Sequence, residues 1–196
     1  MKKLILILAT VFMLNGCGVM EQITGAYNFS QCEYTYNSLT GIQLAGINIG
    51  NASSISLANI ANIATILSGK SLQTIPFNMT LNLNVKNPNE KTAAFLNAMD
   101  YAISINEMDF TSGKLDVPVR IEAGQTQVLP ISVGVDLMNL INRYSQDRVA
   151  RELGSFIGIN SGSTKVTVRL WPSISVGNTS IKSPAAIPIV FNFGGK

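Results

Sequence analysis

The chain has 196 residues, which suits one domain, and 46% of them are hydrophobic, so composition does not place it among disordered chains. Charged residues make up 13%, against about 25% in ordinary soluble domains, and there is no histidine, which removes the commonest general base and metal ligand together. The formal charge is +3, and taking Lys2 and Lys3 from the 14 basic residues leaves 12 against 11 acidic ones. No Lys/Arg run remains to track a phosphate backbone, so nucleic acid is not an expected partner.

Met1-Lys2-Lys3 is a short basic region, and Leu4 to Leu14 is an apolar run of eleven residues. That length fits a secretory signal and falls short of the ~20 residues a membrane-spanning helix needs. Leu14-Asn15-Gly16-Cys17 follows and resembles the bacterial lipobox, with small Gly16 before the cleavage point and Cys17 after it. The resemblance implies that residues 1–16 are a removed signal peptide and that Cys17 carries a diacylglycerol and an acyl chain. Several acyl chains anchor far more firmly than one. Gly18 stands where an aspartate would retain a lipoprotein in the inner membrane, so the outer membrane is the expected address, with the leaflet open. With Cys17 lipidated, Cys32 has no disulfide partner, and with no adjacent base it reads as a buried, inert thiol.

Residues 17–26 read as a tether, and 27–196 as a single domain. Cys32, Tyr34 and Tyr36 alternate on a first strand that is expected to turn at Asn37-Ser38, followed by a second extended piece, Ile42 to Ile49. Ile-rich periodicity predicts a helix over about 56–68 that covers the core. Ile75 to Asn89 is the clearest strand. Ile75, Phe77, Met79, Leu81, Leu83 and Val85 occupy every second position, and Asn87-Pro88-Asn89 ends it. Met99 to Ile105 alternates in the same way, a turn runs from Asn106 to Ser112, and Leu115 to Ile121 and Val128 to Val135 follow as strands. The near-continuous apolar character of Val128 to Val135 predicts a central position. Asp136 is the predicted cap of a helix over about 137–153, with Leu137, Leu140, Ile141, Tyr144, Val149 and Leu153 inward and Arg143, Asp147, Arg148, Arg151 and Glu152 outward. Thr164 to Trp171 is a strand that Pro172 ends or kinks, and Ile187 to Phe193 is the last one. Seven or so strands at this spacing predict a mainly β fold, an antiparallel β-sandwich with two inserted or flanking helices.

The run L-N-V-K-N-P-N, followed by M-D-Y-A-I-S-I-N-E-M-D-F-T-S-G, resembles the late-embryogenesis-abundant (LEA) type 2 domain, also called the WHy domain. Asn87, Pro88, Asn89, Tyr101, Ile103, Ile105, Asn106 and Gly113 carry the likeness, and Ile121 to Val133 fits the family's later turn and strand. Glu107 stands where a glycine is often seen. The resemblance implies an immunoglobulin- or fibronectin-III-like sandwich, an association with stress responses, and no catalytic site.

Candidate chemistry is sparse. Without histidine a Ser/His/Asp triad cannot form. Ser–Lys pairs occur at Ser68-Gly69-Lys70, Ser112-Gly113-Lys114 and Ser161 to Lys165, where glycine-containing turns are the simpler reading. Paired carboxylates could be drawn from Glu107, Asp109 and Asp116, and as hairpin residues they read as solvated. Calcium-loop spacing is absent. No cofactor, metal or catalytic residue is expected; Cys17 is the one modification site. The expected function is that of a non-enzymatic envelope lipoprotein, a binding or stress-protective module whose expected partners are the membrane that holds its Cys17 anchor and an unidentified envelope protein or lipid. The alternative is a carrier of a lipid or other apolar ligand in a groove covered by the helices.

Overall fold

A computed structural model describes residues 20–50, 66, 73–159, 162–176 and 179–193. Its centre is the strand whose alternation is clearest in the sequence, β3 (Pro76–Lys86), where Phe77, Met79, Leu81, Leu83 and Val85 are all buried and the residues between them are half-buried or exposed. β3 pairs antiparallel with β1 (Glu33–Leu44) on one side and with β8 (Thr126–Asp136) on the other, and β2 (Ile47–Gly50) extends β1. This gives a four-stranded sheet in the order β2-β1-β3-β8. The second sheet runs β10-β9-β5-β6, with β11 also on β9; here β5 is Ala98–Ile105, β6 Met108–Leu115, β9 Thr164–Val176, β10 Thr179–Lys182 and β11 Ile187–Phe193. A two-stranded ribbon pairs β4 (Ala94–Leu96) with β7 (Val119–Ile121). The antiparallel β-sandwich is therefore present, with eleven strands among the described residues.

The two sheets share one apolar core, to which β5 gives Met99, Ile103 and Ile105 and β9 gives Val166, Val168 and Leu170. A hydrogen bond ties the sheets together, the Tyr101 hydroxyl of β5 donating to the Ser132 carbonyl of β8 at 2.7 Å. To reach it, the Tyr101 side chain crosses Gly113, where an added Cβ would lie 2.5 Å from the hydroxyl oxygen. Edge-on aromatic contacts run through one end of the core: Phe77 to Phe110, Phe110 to Phe156, Phe156 to Phe193 and Phe193 to Tyr36, at 4.6–6.1 Å between centroids.

That end is covered by two short helices. The chain is helical over α2 (Leu137–Tyr144) and α3 (Gln146–Phe156), not over one continuous helix, because Ser145 takes φ 84° and breaks the ladder. Asp136 caps α2 as expected, its carboxylate accepting from Met138 N at 3.0 Å and also from Ile75 N at 2.8 Å. Glu152 departs from its expected outward position. It is buried and accepts from the Asn106 side-chain amide, while Asn106 Oδ1 accepts from Lys165 N at 2.8 Å, so one cluster joins α3, the β5–β6 turn and β9.

Other expectations are corrected. Val128 to Val135 lies on an edge strand, with Val128, Pro130 and Ser132 turned outward; an edge tolerates Pro130, which has no amide to donate. β1 does not turn at Asn37-Ser38 but shifts register there and continues. β9 runs through Pro172, which falls where its outer neighbour changes from β11 to β10; its carbonyl accepts from Ser183 N at 2.8 Å, so the missing donor faces that outer side at the end of the β10 ladder, and the pairing with β5 continues through Met99. The turn between β5 and β6 is two residues, Asn106 and Glu107, both at positive φ (44° and 65°), and Ser112 and Gly113 belong to β6 itself. Of the helix expected over 56–68, only Ile66 lies among the described residues, and it is helical and packs on the core.

Candidate functional site

At the opposite end of the sandwich, residues 20–30 form a helix, α1, where a tether was expected up to residue 26. Three positions on one face hold it against the sandwich. Gln22 Oε1 accepts from Ser175 N at 2.7 Å and from the Asn97 amide at 3.1 Å. Gly25 lies so close to Phe95 that a Cβ would meet the Phe95 Cβ at 2.9 Å. Asn28 Nδ2 donates to Thr92 Oγ1 at 2.8 Å and to Ala93 O at 3.0 Å, and Phe29 beside it is fully buried. The spacing of 22, 25 and 28 puts these residues on one side of a helix. Met20, Ile23 and Tyr27 are consequently on the outer side.

The same end contains the Asn-Pro-Asn stop. Asn87 is fully buried, and its amide donates to Thr92 O (2.9 Å), Ile121 O (3.1 Å) and, more weakly, Glu122 O (3.4 Å), while its Oδ1 accepts from Asn89 N at 3.1 Å. Asn89 Oδ1 in turn accepts from Lys91 N and Thr92 N, and Asn89 O accepts from Gly124 N, where Gly124 sits at φ 68°. The motif therefore ties the β3–β4 connection to the β7–β8 turn and closes the core near α1. Its role here is structural.

Between α1 and the β9–β10 hairpin lies an open groove of about 510 Å³, lined by Ile23, Tyr27, Ile174, Ile181, Pro184 and Pro188 among others. Its size is within the ~300–1,000 Å³ of small-molecule sites. Lys182 reaches the rim, where its ammonium is held by the Asp100 carboxylate and lies 4.9 Å from the centre of the Trp171 ring. The groove therefore presents apolar surface and no free charged group from this lysine.

The residues singled out for chemistry do not assemble. Cys17, Ser68-Gly69-Lys70 and Ser161 lie outside the described residues. Lys114 bonds Asp116 at 2.7 Å on an exposed surface, which raises the lysine's pKa through that hydrogen bond and charge. Asp109 faces Arg169 at 3.8 Å and accepts from Ser104 Oγ at 3.3 Å, so it and Asp116 belong to separate ion pairs. Among the described residues no group of three His, Cys, Asp or Glu is placed to hold a metal ion. Cys32 is buried, its thiol donating to Asn28 O at 3.4 Å, and burial, with a smaller contribution from the Glu33 charge, pushes its pKa up to about 11. Burial likewise raises the Tyr34 hydroxyl, which donates to Phe29 O at 2.6 Å.

Sequence reasoning missed α1 and the groove. The i, i+3, i+7 spacing of Met20, Ile23 and Tyr27 was the available signal, but Gly18, Gly25 and a single charged residue made residues 17–26 resemble a tether.

A family model described as late embryogenesis abundant protein matches residues 82–184, more than half of the 196-residue chain. The matched segment begins inside β3 and ends just after β10, so α1, β1, β2 and β11 lie outside it. The chain is similar to a crystal structure of a protein from Archaeoglobus fulgidus at 16% identity, covering 65% of this chain and 91% of that one with a TM-score of 0.35. It is similar at 14% identity to a solution structure from Arabidopsis Thaliana, with 82% and 80% covered and a TM-score of 0.38. A further solution structure, of a late embryogenesis abundant (LEA) protein, is 11% identical, with 98% and 88% covered and a TM-score of 0.37. No curated protein matches the chain.

Proposed function

Because the chain belongs to the LEA type 2 family, we propose that it is a non-enzymatic, membrane-anchored bacterial envelope lipoprotein whose sandwich serves as a binding or stress-protective module. The observation that carries the anchored reading is the meeting of two features: Leu14-Asn15-Gly16-Cys17 has lipobox form, and a helix fixed to the sandwich starts by residue 20. A lipid on Cys17 would then hold a defined end of the domain at the membrane, and the outer membrane is the proposed address. The non-enzymatic reading is supported by the family and by the absence of histidine.

Cys17→Ala tests the anchor. The parent chain should take up radiolabelled palmitate and sediment with membranes, and the variant should lose the label and move to the soluble fraction; unchanged partitioning defeats the reading. The protective role predicts that the purified chain preserves a labile enzyme through drying better than an equal mass of serum albumin. Equal recovery would refute that role. A second reading, a carrier of a lipid or other apolar ligand, has the 510 Å³ groove in its favour. It predicts lipid in near-stoichiometric amount in solvent extracts of the purified chain.

A further inference from the structure

Eight large hydrophobic residues are exposed among the described residues; three of them, Ile23, Tyr27 and Ile181, line the α1 groove, and a fourth, Met20, continues the Ile23–Tyr27 stripe along α1. Met20 and Tyr27 are each 64% exposed, Ile23 47% and Ile181 49%. Scattered exposed apolar residues are ordinary, whereas a contiguous patch marks an interaction surface. Docking of α1 does not require them, because Gln22, Gly25, Asn28 and Phe29 hold its inner face. The outer stripe is therefore surplus to folding.

We propose that this stripe and groove form a membrane-contact face that seats acyl chains of the bilayer in which Cys17 is anchored, so that the sandwich stands on the membrane by its α1 end. The inference rests on the anchored reading for its reach. Two residues, Gly18 and Val19, separate Cys17 from Met20, a span of at most about 11 Å fully extended, and Met20 to Tyr27 covers only about 10 Å of helix. A lipidated Cys17 thus keeps α1 at the headgroup boundary, where lipid is the surface present at the highest local concentration. Acyl chains also fit the lining. Ile174, Ile181, Pro184 and Pro188 offer no hydrogen-bonding side chain, and the ammonium of Lys182 is already matched by Asp100. α1 carries one acidic residue, Glu21, and no basic one, so the helix alone lacks the cationic face of a free-standing interfacial helix. Its contact depends on the anchor, and it sets orientation instead of supplying affinity.

The test uses the full chain, purified from membranes and reconstituted into phosphatidylcholine–phosphatidylglycerol vesicles with plain or brominated acyl chains. The single native indole is removed by Trp171→Phe, and a reporter is placed by Tyr27→Trp or, at the opposite end of the sandwich in β2, by Ile47→Trp, an exposed position beside the Leu44–Phe77 pair. Bromolipid should quench the position-27 reporter about two-fold or more and leave the position-47 reporter within roughly a tenth of its plain-lipid intensity. Adding Ile23→Asn and Ile181→Asn should remove most of the quenching at position 27. Equal, weak quenching at the two positions overturns the proposal, as does a position-27 reporter shielded from aqueous acrylamide but not from plain to brominated lipid altered, which would place protein over the face. Mass spectrometry of the N-terminal peptide separates the two readings. Lipid on Cys17 with no quenching at position 27 overturns the contact face and leaves the anchor standing. Unmodified Cys17 with quenching at position 27 defeats the anchor and overturns the claim that the contact depends on it.

Discussion

Replacing Asn87 is the sharpest test of how the sandwich is closed. Asn87→Ala removes an amide that donates to Thr92 O at 2.9 Å and Ile121 O at 3.1 Å, and it also removes the acceptor for Asn89 N. The site is fully buried, so water does not replace the lost donors without the loops opening. A buried polar group left without its partner costs about 1–3 kcal/mol, and two well-formed donations therefore put the loss at roughly 2–5 kcal/mol. That is a large part of the ~5–15 kcal/mol by which domains of this kind are stable. Urea unfolding followed by circular dichroism should show a lower midpoint with an unchanged slope, the sign that stability and not the unfolded state has changed. Asn84→Ala is the control: its half-buried side chain accepts, among the described residues, one side-chain bond, from the Asn37 amide at 2.8 Å on the surface, so the change should stay within about 0.5 kcal/mol. Asn87→Asp should be at least as harmful as Asn87→Ala at neutral pH, because it turns a negative acceptor toward three carbonyls. Burial raises that carboxyl's folded pKa above the unfolded ~3.9, so the penalty should shrink as pH falls and a proton restores one donor. A loss below about 1 kcal/mol for Asn87→Ala would refute the idea that the motif ties the loops together.

Three further outcomes can be measured in the same way. Gly113→Ala places a Cβ 2.5 Å from the Tyr101 hydroxyl oxygen, so it should lower the unfolding midpoint by an amount equivalent to about 1–3 kcal/mol, and Tyr101→Phe in the same chain should recover part of it. Glu107→Gly relieves a non-glycine residue at φ 65° and should stabilise the chain by about 1 kcal/mol in urea titrations; a decrease would show that the Glu107 side chain has an unrecognised partner. The Cys32 thiol, with a folded pKa near 11 against 9.0 for an unperturbed thiol, keeps its proton longer in the folded state. Its stabilising effect is full below pH 9, fades as pH rises from 9 to 11, and should disappear from the pH profile of Cys32→Ala. Alkylation of native Cys32 should correspondingly be slow at neutral pH.

What the sequence settles here is local. The two-residue period of Phe77 to Val85, of Met99 to Ile105 and of Val166 to Leu170 predicts which side chains enter the core, because alternate side chains of a strand must face opposite ways. Asp136 announces its helix for a similarly short-range reason, since a carboxylate before an apolar stretch can accept from the first free amides. Asn-Pro-Asn is visible as a stop, yet its burial and its bonds to Thr92 and Ile121 are not, because they depend on loops up to 34 residues away. Order across the sheet is also a tertiary matter. Val128 to Val135 has the composition of a central strand, but among the described residues no strand covers its outer side, and the alternate residues simply face out.

The α1 end shows the same division most clearly. Residues 20–30 carry a weak helical pattern that a linker could share, and they become a fixed element only because Gln22 meets Ser175, 153 residues on, while Gly25 and Asn28 meet the chain around residues 92–95. Length, the lack of histidine, the lipobox-like start and the strand periods follow from composition and near neighbours. The helix, the groove beside it and the exposed Met20–Ile23–Tyr27 stripe follow from surfaces that meet only after the sheets have formed, and pairwise fit between distant surfaces leaves no period in the sequence to read.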